Sequence, residues 1–103
     1  MSIVQDILKD EQKRLENLLY NFKKELSVFP KGSLSRKRRG NSFYVYRAYR
    51  KGDKVIFKYI GKEDSDKVKE LEERIQERKK LENKIKKVKS DLIEVRRSLR
   101  ANK

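Results

Sequence analysis

The chain has 103 residues, 35% hydrophobic and 45% charged, with a formal net charge of +14 and neither cysteine nor histidine. That is room for one domain, 1–103, and too little apolar material for a thick core, so long helices burying a narrow stripe are the expected way to fold. Disulfides, zinc knuckles and histidine acid–base chemistry are excluded; no apolar run approaches the ~18 residues of a membrane span, and the first ten residues lack a secretory apolar stretch.

Residues 1–30 read as a first helix over 3–27. Ser2 can cap it, and Gln5 stands where a capping box places Glu or Gln. Val4, Leu8, Leu15, Leu18, Phe22 and Phe29 recur at three- and four-residue steps, with Glu11 and Glu25 filling two slots. Ile3, Ile7, Leu19 and Leu26 widen the stripe, so this helix must pack on something. Pro30 stops it, because the ring disfavours helix at Phe29 and removes a donor.

Residues 31–62 read as a three-stranded antiparallel meander, with strands over 33–38, 43–50 and 55–60. Gly40-Asn41 and Gly52-Asp53 make the turns. A two-residue loop at Gly52-Asp53 sets Tyr49 opposite Ile56, Arg47 opposite Lys58 and Val45 opposite Ile60. One side of the sheet then carries Phe43, Val45, Arg47, Tyr49, Ile56, Lys58 and Ile60. The other carries Tyr44, Tyr46, Ala48, Val55, Phe57 and Tyr59. A three-residue loop slips the register, and the sequence leaves both open. The aromatic side suits packing on helices, and the mixed basic side suits phosphate.

Residues 63–103 read as a second long helix, from Asp64 or Ser65 to about Arg100. Val68, Leu71 and Ile75 lead to a heptad at Leu81, Ile85, Val88, Leu92, Val95 and Leu99, with a stammer-like shift near Arg78. A helix this long with so narrow a seam is not stable alone. Coiled-coil pairing with the first helix, with a second copy, or with both is expected. The first helix is the shorter, so the surplus apolar length at Val88, Leu92, Val95 and Leu99 is the expected oligomerisation surface. The expected fold is therefore α+β: long helix, three-stranded antiparallel β-meander, long helix, in the order αβββα.

Charge is concentrated in the meander. Lys31, Arg36, Lys37, Arg38, Arg39, Arg47, Arg50, Lys51, Lys54, Lys58 and Lys62 face a single acid, Asp53, a net +10 out of the total +14. The same stretch holds all four glycines and every tyrosine except Tyr20. A compact basic element with aromatics is the footprint of a nucleic-acid surface. In that reading these bases neutralise phosphates while Tyr44, Tyr46 or Tyr49 stacks on the strand. The bland alternative is a solvated charged face with tyrosine as an ordinary strand former. Because strand residues alternate sides, no one side takes all of Arg36, Lys37, Arg38 and Arg39. A second basic tract, Lys84, Lys86, Lys87 and Lys89, lies on the second helix; phosphate contact and a coiled-coil exterior are equally good readings of it.

Catalysis is not expected. Tyr59-Ile60-Gly61 resembles the second half of the GIY-YIG nuclease signature, but the first half lacks its glycine, 12 residues separate Tyr46 from Tyr59, and no histidine follows. There is no phosphate loop. Glu70, Glu72, Glu73 and Glu77 fall at i,i+4 ranges of Lys and Arg, as surface pairs do, and no metal or cofactor is expected.

From Pro30 onward, Gly32-Ser33-Leu34, the basic patch, Tyr44-x-Tyr46, Arg47, Arg50-x-Gly52-x-Lys54, Tyr59-Ile60 and the long charged helix resemble a family of small uncharacterised proteins of bacterial and archaeal mobile elements. The resemblance spans roughly 30–100 and omits the first helix. Many members carry a cysteine-rich knuckle where residues 36–41 stand here, so a metal-linked role does not carry over. The resemblance implies a mobile-element or viral setting, hence the cytoplasm of a prokaryotic or virus-infected host cell.

Three functions remain in view: non-enzymatic DNA or RNA binding by the basic sheet, with a homo-oligomer formed by the helices; a small viral inhibitor of a host nucleoprotein complex such as a CRISPR effector; and a coiled-coil adaptor. No membrane partner is expected.

Overall fold

The structure, a computed structural model, describes residues 2–101. Its elements are α1 (Ile3–Leu26), β1 (Ser33–Arg39), β2 (Ser42–Lys51), β3 (Lys54–Lys62) and α2 (Asp66–Ala101). This is the expected α+β order, and the two helices pack against each other. The chain divides into two compact units, one of α1 with α2 beyond Arg78, the other of residues 29–78 with the sheet and the start of α2. No helix among the described residues is long and apolar enough to cross a membrane.

In the helical unit, the Ser2 hydroxyl accepts from the Gln5 amide at 3.1 Å and caps α1 as its sequence position predicts. Leu15 of α1 is buried with Val88 and Leu92 of α2, and Leu18, Leu19, Phe22 and Val95 pack around them. Glu16 and Arg96 pair across the outside at 3.6 Å. One expectation is corrected here. Val88, Leu92 and Val95 are not surplus apolar length awaiting a second copy; α1 already covers them. Counting helix length could not reveal this, because which stretch of the longer helix the shorter one covers depends on where the intervening sheet returns the chain.

The sheet has the order β1-β2-β3, antiparallel throughout. Both turns are two-residue loops, Gly40-Asn41 and Gly52-Asp53, with Gly52 at φ +62. The predicted pairs Tyr49–Ile56 and Arg47–Lys58 are present, but Val45 pairs with Gly61. Ile60 is an extra residue, a bulge that shifts the register between Val45 and Tyr46.

The bulge decides which side of the sheet is covered. Gly61 lands on the side of Val45, and a Cβ there would lie 2.7 Å from Ser65 Oγ and 3.8 Å from Val68 Cγ2. The start of α2 therefore sits on this side, where Val45 and Val68 lose all exposure. Arg36, in register with Val45, reaches Glu63 at 2.9 Å and Glu72 of α2 at 3.5 Å. Arg78 takes an apolar seam position because its guanidinium donates to the Pro30 carbonyl at 2.7 Å.

The assignment of sides is thus the reverse of the sequence expectation. The mixed side with Val45 and Arg47 packs on the helix, and the aromatic side does not. Valine and glycine admit a helix close to the sheet, whereas burying Tyr44, Tyr46 and Tyr59 would require partners for three phenol hydroxyls.

Candidate nucleic-acid interface

Within the sheet-bearing unit no element covers the aromatic side. Register places Lys37 and Arg39 of β1, Tyr44, Tyr46 and Arg50 of β2, and Phe57, Tyr59 and Lys62 of β3 on it. Phe57 is 49% exposed and Tyr59 53%, large values for aromatic strand residues. The Tyr46 and Tyr59 rings meet edge to face with centroids 5.4 Å apart, and Tyr44 lies tilted 6.3 Å from Tyr59. Arg39, Tyr44, Tyr46 and Tyr59 bound a shallow cleft of about 350 Å³. Lys37 reaches over two strands, its Nζ 5.0 Å from the Tyr46 centroid and 4.7 Å from that of Phe57. Lys37, Arg39, Arg50 and Lys62 pair with no carboxylate among the described residues. The result is an aromatic centre with a cationic rim.

The other sequence candidates are placed differently. Arg36 is tied to Glu63 and Glu72. Arg38 donates from Nε to the Gly40 carbonyl at 3.0 Å. Arg47 donates to the Lys31 carbonyl at 2.9 Å and stacks its guanidinium 4.3 Å from the Tyr49 ring centre. These three serve the sheet's own structure on its mixed side. Lys31 and Lys58 are exposed, and Lys51 and Lys54 are exposed beside the Gly52-Asp53 turn. The basic stretch is therefore divided by strand alternation, and only part of it shares a surface with the rings.

Tyr59 and Phe57 belong to this surface although the sequence reading named only Tyr44, Tyr46 and Tyr49 for stacking. Their signal was the period of two, which puts them on the side of Tyr44 and Tyr46. Tyr49 faces the other way. The tract Lys84, Lys86, Lys87 and Lys89 lies exposed on α2 in the helical unit. There Lys87 pairs with Asp91 at 2.9 Å, and that hydrogen bond holds its ammonium pKa above the ordinary value. Among the described residues no group of three or more acids comes together as a metal site would require.

A family described as a domain of unknown function (DUF6788) matches residues 4–70. The chain belongs to that family. The DUF6788 match takes in nearly all of α1, the whole sheet and the first residues of α2, so the family unit includes the first helix, which the resemblance read from residue 30 onward left out. All residues of the aromatic surface lie inside it. No curated protein and no solved structure matches the chain.

Proposed function

We propose that this protein is a non-enzymatic nucleic-acid-binding protein and that it binds through the aromatic side of its sheet. One observation carries the reading. Exposed Tyr59 and Phe57 stand beside half-buried Tyr44 and Tyr46 on one side of the sheet, with Lys37 over the rings and Arg39, Arg50 and Lys62 around them. Exposed rings and unpaired cations on one surface suit a ligand with both flat apolar rings and regular negative charge, and nucleic acids have both. A solubilising surface needs only the charge. The mobile-element or viral setting belongs to the same proposal, supported by Gly32-Ser33-Leu34, Tyr44-x-Tyr46 and Tyr59-Ile60.

The test is the salt dependence of binding. Each phosphate neutralised contributes about −0.7 to −0.9 to the slope of log affinity against log salt. Replacing Lys37, Arg39, Arg50 and Lys62 with Gln reduces the slope by up to about 3 if all four make contact. Replacing Lys84, Lys86, Lys87 and Lys89 with Gln leaves most of it. The reverse result would move the binding surface to α2.

A further inference from the structure

The rings on the sheet have a geometry that charge neutralisation does not require. We infer that the cleft bounded by Arg39, Tyr44, Tyr46 and Tyr59 seats an unpaired base, and that the ligand is a single-stranded nucleic acid. The inference rests on the proposed function and goes beyond it by choosing the form of the polyanion.

In a duplex the faces of the bases are already stacked on one another. A protein meets only their edges in the grooves and the phosphates on the rims. The three strands span roughly 10 Å between outer backbones, before side chains. The start of α2 lies against the mixed side of the sheet, as the Arg36–Glu72 pair shows. A sheet of this width with a helix behind it does not fit the ~12 Å major groove as a two-stranded ribbon does. Laid across a duplex, its rim would reach phosphates while Tyr46 and Tyr59 stood over an open groove without ring partners. A single strand has no such conflict, because its bases can turn toward the sheet and its phosphates toward the rim.

The residues are also unequally available. Lys37 extends over Tyr46 and Phe57. Tyr59 is 53% exposed, is braced by Tyr46 edge to face, and has Tyr44 beside it. Arg39 closes the cleft at the β1 side and carries the charge for the adjoining phosphate. Tyr59 is thus the ring on which the base stacks.

Three probes of equal length separate base contact from charge: oligothymidylate of about 12 nucleotides, the same backbone without bases, and the corresponding duplex. With the full chain at fixed salt, the base-bearing single strand is expected to bind about tenfold or more tighter than the other two. Because the chain has five tyrosines and no tryptophan, the base-bearing strand should also quench its intrinsic fluorescence where the abasic strand does not. Tyr59→Ala is expected to abolish the preference, and Tyr59→Phe to keep it. Circular dichroism of both variants separates a lost ring from a lost sheet; if Tyr59→Ala unfolds, Tyr59→Leu repeats the test with an apolar non-aromatic side chain. Equal binding of all three probes, or a preference that survives in a folded Tyr59→Ala or Tyr59→Leu protein, overturns the inference while nucleic-acid binding stands. No binding of any probe overturns both.

Discussion

Tyr46 stands opposite Tyr59 in the β2–β3 ladder, whereas its neighbour Val45 stands opposite Gly61 rather than Ile60. The bulge at Ile60 thus separates two jobs. Up to Tyr59 the alternation keeps Tyr46, Phe57 and Tyr59 on the uncovered side. Beyond the bulge, Gly61 is turned under the start of α2, and Lys62 is brought into register with Tyr44. One inserted residue both makes room for the helix and adds a cation beside the rings.

Arg36 and Arg39 are three residues apart in a basic run, but they are expected to respond differently. Arg36→Gln loses an exposed ion pair with Glu63 and Glu72, a stability change within about 1 kcal/mol. It should leave the salt slope of nucleic-acid binding unchanged. Arg39→Gln should reduce that slope by about 0.7–0.9 with little change in stability. Titration at several salt concentrations, with thermal melts of both variants, checks the pair.

Leu92 is 2% exposed between the helices. Leu92→Ala is expected to cost about 2–5 kcal/mol of stability, as emptied core leucine sites do. Chemical denaturation measures it. An oligomer that dissociated with unchanged chain stability would return this residue to a contact between copies.

The glycines give a graded test of backbone and space. Gly32 has φ +98, and a Cβ there would collide with the Ala48 carbonyl of the neighbouring strand. Gly40 has φ +61 but open space around it. Gly40→Ala should cost only the left-handed backbone penalty, about 1–2 kcal/mol. Gly32→Ala should cost clearly more, since strand and loop must also move apart. Comparing denaturation midpoints decides it.

Gly61→Ala crowds Ser65 Oγ, whose hydroxyl donates to the Lys62 carbonyl at 2.7 Å. A loss of about 1 kcal/mol is expected as this hydrogen bond is displaced. Adding Ser65→Ala should recover part of the steric cost, so the two changes are expected to be non-additive in a double-mutant cycle.

Local rules placed much of this protein from its residues. Ser2 caps α1 because a hydroxyl before an apolar-periodic run meets a free amide. Pro30 closes the first helical stretch because it cannot donate. Gly52-Asp53 marks a turn because glycine accepts a positive φ at no steric cost, while the choice of a two-residue loop over a three-residue one came from the pairing of Lys51 with Lys54. Alternation along β2 and β3 gathered Tyr44, Tyr46, Phe57 and Tyr59 on one side. Other features were not local. A valine–glycine surface and a tyrosine surface are both acceptable strand faces, and neither residue set says which one a helix will cover. That depended on the bulge at Ile60, which turned Gly61 under Ser65 and Val68 and left Phe57 and Tyr59 exposed on the opposite side. Likewise the heptad through Val88 and Leu92 specifies a partner helix but not whose. The packing of Leu15 against both supplied the answer from within the chain, because a seam records apolar spacing and not the identity of what fills it.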